Sequence, residues 1–291
     1  MKHVLLTGAT GFLGSHLLEA LLAQGYRVTI LKRSTSDTWR IKHLLDQVSV
    51  FDVDLVAIDH AFKSKKVDFV IHTACSYGRH GQTDYEVIES NLLFGLKVVD
   101  AAISSNTHTF FNTDTLLPKY LNAYSLSKKH FSEWLKRKSE YIKVVNFRLE
   151  HMYGPGDDQK KFVPWLVSQL EKGGDRIPLT DGRQLRDFIY IDDVVSAYLT
   201  ALKKSEQLLS YSEFDVGTGE LSSVRSFVAT LYDIYKSKRP DIKTQLGFGD
   251  IPMREGELMS VEVDNTALKR LGWEAKVSQE QGLERLIGAV L

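Results

Sequence analysis

Cysteine is almost missing from this chain, and so is any surplus of charge. The single Cys75 among 291 residues cannot close an internal disulfide, so the fold must stand on packing rather than cross-links. Six prolines and no Pro- or Gly-rich tract leave no compositional linker. The 37 basic residues are matched by 37 acidic ones, which removes the field expected of a protein that binds nucleic acid or an anionic membrane. No apolar run is long. Val4-Leu5-Leu6 is stopped at once by Thr7-Gly8, far short of a signal or membrane-spanning helix, and the cytosol is the compartment expected. The nine histidines lack ligand spacing, and pairs such as Asp192/Asp193 come without a ligand series, so no metal is expected.

What the chain does have is an apolar fraction of 43%, enough at this length to bury a large core, near the size at which one domain gives way to two. His3 to Leu6 is a short apolar run, followed by glycines and then by Leu17, Leu18, Leu21 and Leu22 at helical spacing. That order reads as strand, turn, helix. Further strands are expected at Arg27 to Leu31, Gln47 to Phe51, Phe69 to His72, Thr109 to Asn112 and Lys143 to Arg148. Helices are expected at Asp84 to Ser105 and at Ala123 to Ser139. Strands separated by helix-length segments predict an α/β fold, a doubly wound parallel sheet of the Rossmann type, with a smaller interleaved C-terminal α/β substrate domain. Residues 1–155, with 186–216, are assigned to dinucleotide binding, and 156–185 with 217–291 to the substrate. Asp187 to Ile191 and Glu213 to Val216 look like short strands able to rejoin the first sheet.

Thr7-Gly8-Ala9-Thr10-Gly11-Phe12-Leu13-Gly14 sets three glycines between the first strand and its helix. Small residues there let backbone amides and the helix N-terminus approach a pyrophosphate, which marks Gly8, Thr10, Gly11, Phe12, Leu13 and Gly14 as cofactor contacts. The second strand ends Leu31-Lys32-Arg33-Ser34, where NAD sites usually carry an acidic residue. Lys32 and Arg33 suit a 2′-phosphate instead, so NADPH is expected and NAD is less favoured. Asp52, followed by Val53, is a candidate partner for the adenine, or alternatively a helix cap.

Tyr124 and Lys128 lie four residues apart, on one face of the helix that starts near Ala123. A cation beside a phenol favours its ionised form and suits it to proton exchange with an alkoxide near neutral pH. The preceding strand ends in Asn112-Thr113-Asp114-Thr115, whose hydroxyls can bond the same oxygen. Cys75, just past an apolar strand, reads as packing rather than as a nucleophile.

These motifs together, T-G-x-x-G-x-x-G, His72-Thr73-Ala74 and Y-x-x-x-K, resemble the extended short-chain dehydrogenases/reductases, the NAD-dependent epimerase/dehydratase family, over essentially the whole chain. Arg148-Leu149-Glu150-His151-Met152-Tyr153-Gly154-Pro155, Arg186 to Asp193 and Pro252 to Glu257 continue the likeness. The resemblance implies Tyr124 as proton donor or acceptor and Lys128 on the nicotinamide ribose, with Thr73 and Ala74 along the cofactor. The third catalytic residue is Thr113 or Thr115, with Thr115 favoured. Arg186 and Arg254 would grip a substrate diphosphate, Glu257 its ribose hydroxyls, and Tyr77, Arg79, His80, Thr113 and Glu150 the sugar. Where the family usually has Arg-Pro, Arg148-Leu149 stands here. Within the family the chain is similar to bacterial CDP-abequose and CDP-paratose synthases, which implies an NADPH-dependent 4-ketoreductase, most specifically one turning CDP-4-keto-3,6-dideoxy-D-glucose into CDP-abequose for O-antigen, and a homodimer. The alternatives are a UDP- or dTDP-sugar epimerase or dehydratase with tightly bound NAD, and a non-catalytic NAD(P)-binding sensor.

Overall fold

The computed structural model describes residues 1–63, 65–79 and 81–291. Its strands are, in chain order, β1 (His3–Thr7), β2 (Arg27–Lys32), β3 (Ser49–Asp52), β4 (Phe69–His72), β5 (Thr109–Thr115), β6 (Lys143–Leu149) and β7 (His151–Tyr153). They continue as β8 (Arg176–Leu179), β9 (Leu185–Arg186), β10 (Phe188–Tyr190), β11 (Tyr211–Val216), β12 (Ser222–Ser223) and β13 (Gln245–Phe248). The helices are α1 (Phe12–Ala23), α2 (Asp59–Lys63), α3 (Asp84–Ile88), α4 (Phe94–Ser104), α5 (Ala123–Lys138) and α6 (Phe162–Lys172), then α7 (Ile191–Lys203), α8 (Val224–Lys238), α9 (Thr266–Arg270) and α10 (Gln279–Val290).

The chain forms two compact units, one made of Met1–Leu149, Val195–Val216 and Ala267–Trp273, the other of Glu150–Val194, Gly217–Thr266 and Glu274–Leu291. In the first, seven strands pair in the order β11-β6-β5-β4-β1-β2-β3, every pair parallel. Strand order reverses between β1 and β4, and in such sheets ligands dock beyond the carboxyl ends at that point. All five residues of β1 and all four of β4 are buried, as strands covered on both faces require. Leu5, Val70, Phe110 and Val144 form one core with Val98, Val99 and Ala102 of α4 and Phe131 and Leu135 of α5. Each Val, Leu or Phe side chain among them contributes about 1.5–3 kcal/mol by leaving water. The Rossmann expectation is thereby met.

The helix expected from Asp84 to Ser105 is found as one uninterrupted helical run to Ser104, widened by a π-helical turn, Glu89–Leu93, between α3 and α4. The second unit holds three two-stranded pairings, β10 with β7, β12 with β9 and β13 with β8, with α10 packed on α8 and β10. Of the two strands expected to rejoin the main sheet, β11 does so and β10 pairs with β7 instead. No helix among the described residues is long and apolar enough to cross a membrane.

Candidate active site

The glycine turn is fixed by contact distances. Gly8 has φ +70° and accepts the Gly11 amide at 2.9 Å. A Cβ on Gly8 would lie 2.6 Å from both the Ala74 nitrogen and the Thr73 hydroxyl, and one on Gly14 would lie 2.0 Å from the Gly8 carbonyl oxygen. The turn therefore closes on the loop after β4, where Thr73 donates to the Thr7 carbonyl at 2.8 Å and the Ala74 amide to the Thr7 hydroxyl at 3.3 Å. Helix α1 starts at Phe12 and Leu13 with no side-chain cap and no acidic residue in its first turn. An N-terminus of that kind suits a pyrophosphate. Arg40 donates to the Thr10 carbonyl at 3.2 Å.

At the ends of β2 and β3, Lys32 is not available in the way its sequence suggests. Its ammonium meets Asp52 at 3.3 Å and the Arg33 carbonyl at 3.1 Å. Asp52 also accepts from the Ser34 hydroxyl at 2.8 Å, and Asp54 accepts the Ser34 amide at 2.8 Å. Desolvation works to raise the Asp52 pKa, but bonds from Ser34, the Asp54 amide and Lys32 outweigh it and hold the carboxyl below its ordinary range. Val53 returns its amide to the Lys32 carbonyl at 2.9 Å. A phosphate brought here would meet ionised carboxylates as well as cations.

Helix α5 is started by a reciprocal cap in which Asn122 accepts the Ser125 amide at 2.8 Å and Ser125 accepts the Asn122 amide at 3.2 Å. The helix then presents Tyr124 and, one turn on, Lys128, which is 1% exposed and whose ammonium has no hydrogen-bond partner among the described residues. Burial depresses the ammonium's pKa, partly offset by Cys75 and Asp114. A buried, unpartnered cation is costly, and ribose hydroxyls would satisfy it. The residues present thus fit a dinucleotide: a glycine cradle that any Cβ would fill, an uncapped helix end, and this orphaned ammonium.

Tyr124 departs from the simplest reading of its motif. Its pKa is raised well above the ordinary phenol value by burial first, then by Tyr77, Cys75 and Asp114, with Arg79 acting in the opposite direction. Tyr77 lies 4.8 Å from Tyr124 between ring centroids, and the Arg79 guanidinium lies 5.2 Å from the Tyr77 ring. His80 lies outside the described residues. Buried His72, bonded at Nδ1 to the Thr7 hydroxyl at 2.8 Å, is lowered to about 3 by burial and by Lys128, and is therefore neutral.

The end of β5 separates the two threonines. The Thr113 hydroxyl is bonded to the Tyr198 hydroxyl at 2.7 Å, whereas the Thr115 hydroxyl accepts the Leu117 amide at 3.2 Å and keeps its proton to donate. Between them, buried Asp114 is held by Lys129 at 3.3 Å, by Asn146 at 3.1 Å and by the Thr115 amide at 2.7 Å. Lys129 also donates to the Thr115 carbonyl. Sequence reasoning assigned no role to Lys129 or to Asn91. Asn91 is wholly buried and bonds Ser76 and Ser127, and its signal was a polar residue on the apolar stripe of a helix.

In the second unit Arg186 is 7% exposed and pairs with Glu257 at 2.8 Å, while Arg254 is exposed. Glu150 is buried with His151 at 3.1 Å. Near it, Asp187 takes the amides of Thr218 at 2.9 Å and Gly219 at 2.7 Å, a cradle in which burial still raises its pKa. No group of three or more His, Cys, Asp or Glu able to hold a metal occurs among the described residues.

The model of the NAD dependent epimerase/dehydratase family matches residues 4–217. CDP-abequose synthase of Salmonella typhimurium is 33% identical, over 98% of this chain and 97% of that protein. A Thermus thermophilus UDP-glucose 4-epimerase solved with NAD is 25% identical with a TM-score of 0.79, covering 99% of this chain and 98% of that one. A Bacillus cereus UDP-glucuronic acid 4-epimerase solved with UDP-glucuronic acid and NAD shares the fold, at 22% identity and TM-score 0.82, covering 99% and 98%.

Two expectations are corrected. The NADPH expectation is overturned: the Thermus thermophilus epimerase, 25% identical, is solved with NAD, and Lys32 is already engaged by Asp52. The NADPH-dependent 4-ketoreductase leading to CDP-abequose falls with it, since the neighbours in structure are NAD-bound epimerases and dehydratases of nucleotide sugars, although the sequence likeness to CDP-abequose synthases stands. With fold, motif series and relatives in agreement, the chain is an NAD(P)-dependent oxidoreductase and belongs to the NAD dependent epimerase/dehydratase family.

Proposed function

We propose that this protein is a nucleotide-sugar epimerase that acts at C4 of a UDP- or dTDP-hexose and keeps its NAD bound through turnover. The observation that carries the choice of epimerase over dehydratase is the state of Asp114. Elimination of water from a sugar needs an acid beside the catalytic threonine, and the carboxyl next to Thr115, that of Asp114, is buried and occupied by Lys129, Asn146 and the Thr115 amide. Proton transfer at one oxygen, with no second acid, is what Tyr124 and Thr115 can supply.

When bound, NAD would supply reversible hydride transfer at the sugar carbon. Gly8, Thr10, Gly11, Phe12, Leu13 and Gly14 hold its pyrophosphate, Asp52 and Val53 its adenosine end, and Thr73 and Ala74 its middle. Lys128 donates to its ribose hydroxyls. Tyr124 Oη takes the proton of the C4 hydroxyl and later gives it back, while Thr115 Oγ1 donates to the oxygen as charge builds there. Arg186 and Arg254 bind the diphosphate, with Glu257 released from Arg186 to accept from the nucleoside ribose. Tyr77, Arg79, Thr113 and Glu150 shape the sugar's surroundings. A homodimer is part of the reading: Leu93 and Trp134 are exposed, and a surface recess beside them is lined by Leu92, His130, Glu133, Trp134 and Arg137. The helices carrying these residues, the π turn with α4 and α5, are the ones on which the second copy would pack.

Incubation of the purified protein with UDP- and dTDP-hexoses, with products resolved by NMR, tests the proposal. The expected result is a C4 epimer without net change in nicotinamide absorbance, reduced about 10³-fold in Tyr124→Phe with the fold intact. A 4-keto-6-deoxy product would make the protein a dehydratase, and unchanged turnover in Tyr124→Phe would end the catalytic assignment.

A further inference from the structure

We infer that Arg79, acting through the ring of Tyr77, is a positioning residue for the Tyr124 phenol: a cation held one aromatic ring away, steadying the negative charge this phenol takes on during proton transfer. The Tyr77 ring is the shared neighbour. The Arg79 guanidinium stands 5.2 Å over the Tyr77 ring centre, and that ring lies 4.8 Å from Tyr124 with the planes tilted by 33°. A guanidinium over a ring and a close pair of aromatic rings are both attractive arrangements, so the group has a reason to persist.

The arm that carries it is built rather than incidental. Asn91 Oδ1 accepts the Ser76 amide at 2.6 Å, and its Nδ2 donates to the Ser76 carbonyl at 2.8 Å and to the Ser127 hydroxyl at 2.9 Å. Ser127 in turn donates to the Tyr124 carbonyl at 2.8 Å. One buried side chain thus fastens the root of the arm to the turn of α5 that bears Tyr124. Asn91 reaches this point because the helix opens into a π turn at Glu89–Leu93, a distortion often found at working sites. Between the two arm residues, Gly78 adopts φ +67° and lets the chain reverse so that Arg79 returns over Tyr77.

The charged and titratable groups that act on Tyr124 are Cys75, Tyr77 and Arg79 from this loop and Asp114 from β5, itself paired with Lys129; Lys128 follows one turn on along the same helix. Burial, the second phenol, the thiol and Asp114 all oppose ionisation, and Arg79 opposes them. Because Arg79 is exposed, its pull is screened by salt, which gives the effect a signature that packing alone lacks.

The inference rests on Tyr124 being the proton-transfer group of the proposed reaction, so the test reads the phenol apart from turnover. The chain is labelled with 3-fluorotyrosine, the Tyr124 fluorine resonance is identified by its loss in Tyr124→Phe, and its pH titration is followed with the retained nicotinamide cofactor in place. In Arg79→Gln the midpoint moves to higher pH, in Arg79→Lys it returns most of the way, and the difference shrinks between low salt and about 0.5 M NaCl. Turnover in Arg79→Gln falls about two- to threefold in kcat at neutral pH and recovers in alkali. An Arg79→Gln midpoint equal to wild type at low salt overturns the inference. A midpoint that moves while no UDP- or dTDP-hexose is turned over supports it and refutes the epimerase reading instead.

Discussion

The glycine turn after β1 and the Tyr124 corner after β5 are made of different material. In the turn, backbone meets backbone, and what matters is the absence of atoms: a Cβ on Gly14 has nowhere to go. At the corner, side chains meet, and what matters is the charge each carries in its surroundings, as with Lys128, buried and unpartnered, and Tyr124, whose ionisation burial, Tyr77, Cys75 and Asp114 oppose and Arg79 favours. A steric constraint is local and tolerates no substitute. An electrostatic one is shared among residues from several elements and changes by degrees.

That contrast is broken most severely at the turn. Gly14→Ala is expected to cost about 3 kcal/mol or more in urea unfolding, because the clashing atom is backbone and cannot swing away. A loss below 1 kcal/mol would mean the turn can open. At the corner, Lys128→Met is expected to move two properties in opposite directions. Removing a buried unpaired charge raises the stability of the cofactor-free protein by about 1–3 kcal/mol, while NAD retention in equilibrium dialysis falls at least about tenfold.

His72 sharpens the comparison through pH. Its folded-state pKa of about 3 lies below the ordinary 6.5, so the unfolded chain binds the extra proton between those values. Stability is therefore fully present above pH 6.5, declines as pH falls through that window, and has lost about 1–2 kcal/mol from this group by pH 5. Urea midpoints at pH 7 and pH 5 in wild type and His72→Gln measure it, the variant showing the flatter dependence. The smallest effect belongs to Lys32→Ala. With its ammonium engaged by Asp52, the change should alter the ratio of NAD to NADP affinity by less than about twofold in titration calorimetry. A large drop in NADP affinity alone would restore a phosphate-binding role to Lys32.

The same divide governs what was legible beforehand. The glycine turn, the strand-turn-helix succession around it and the Tyr124–Lys128 spacing are local patterns, and each could be read from consecutive residues. Lys32 was misread because its partner, Asp52, lies on the neighbouring strand, and only the β2–β3 register brings a carboxylate against it. The Tyr124 environment was misread for a similar reason. The motif advertises the lysine one turn away, but not the tyrosine from a different loop that stacks on the phenol. Nor does any periodicity mark the π turn that carries Asn91, whose partners Ser76 and Ser127 lie 15 and 36 residues away in sequence. The β10 segment has the composition of a core strand, yet its partner is β7, a choice that depends on which strand ends lie near it.

The central claim, a nicotinamide dinucleotide without a 2′-phosphate kept on the chain through turnover, is tested most directly by releasing the cofactor from freshly purified protein with acid and identifying it by mass spectrometry. The account predicts NAD in close to equimolar amount with the chain. Recovery of NADP, or of no dinucleotide from protein that is folded and active only with added NADPH, would contradict it.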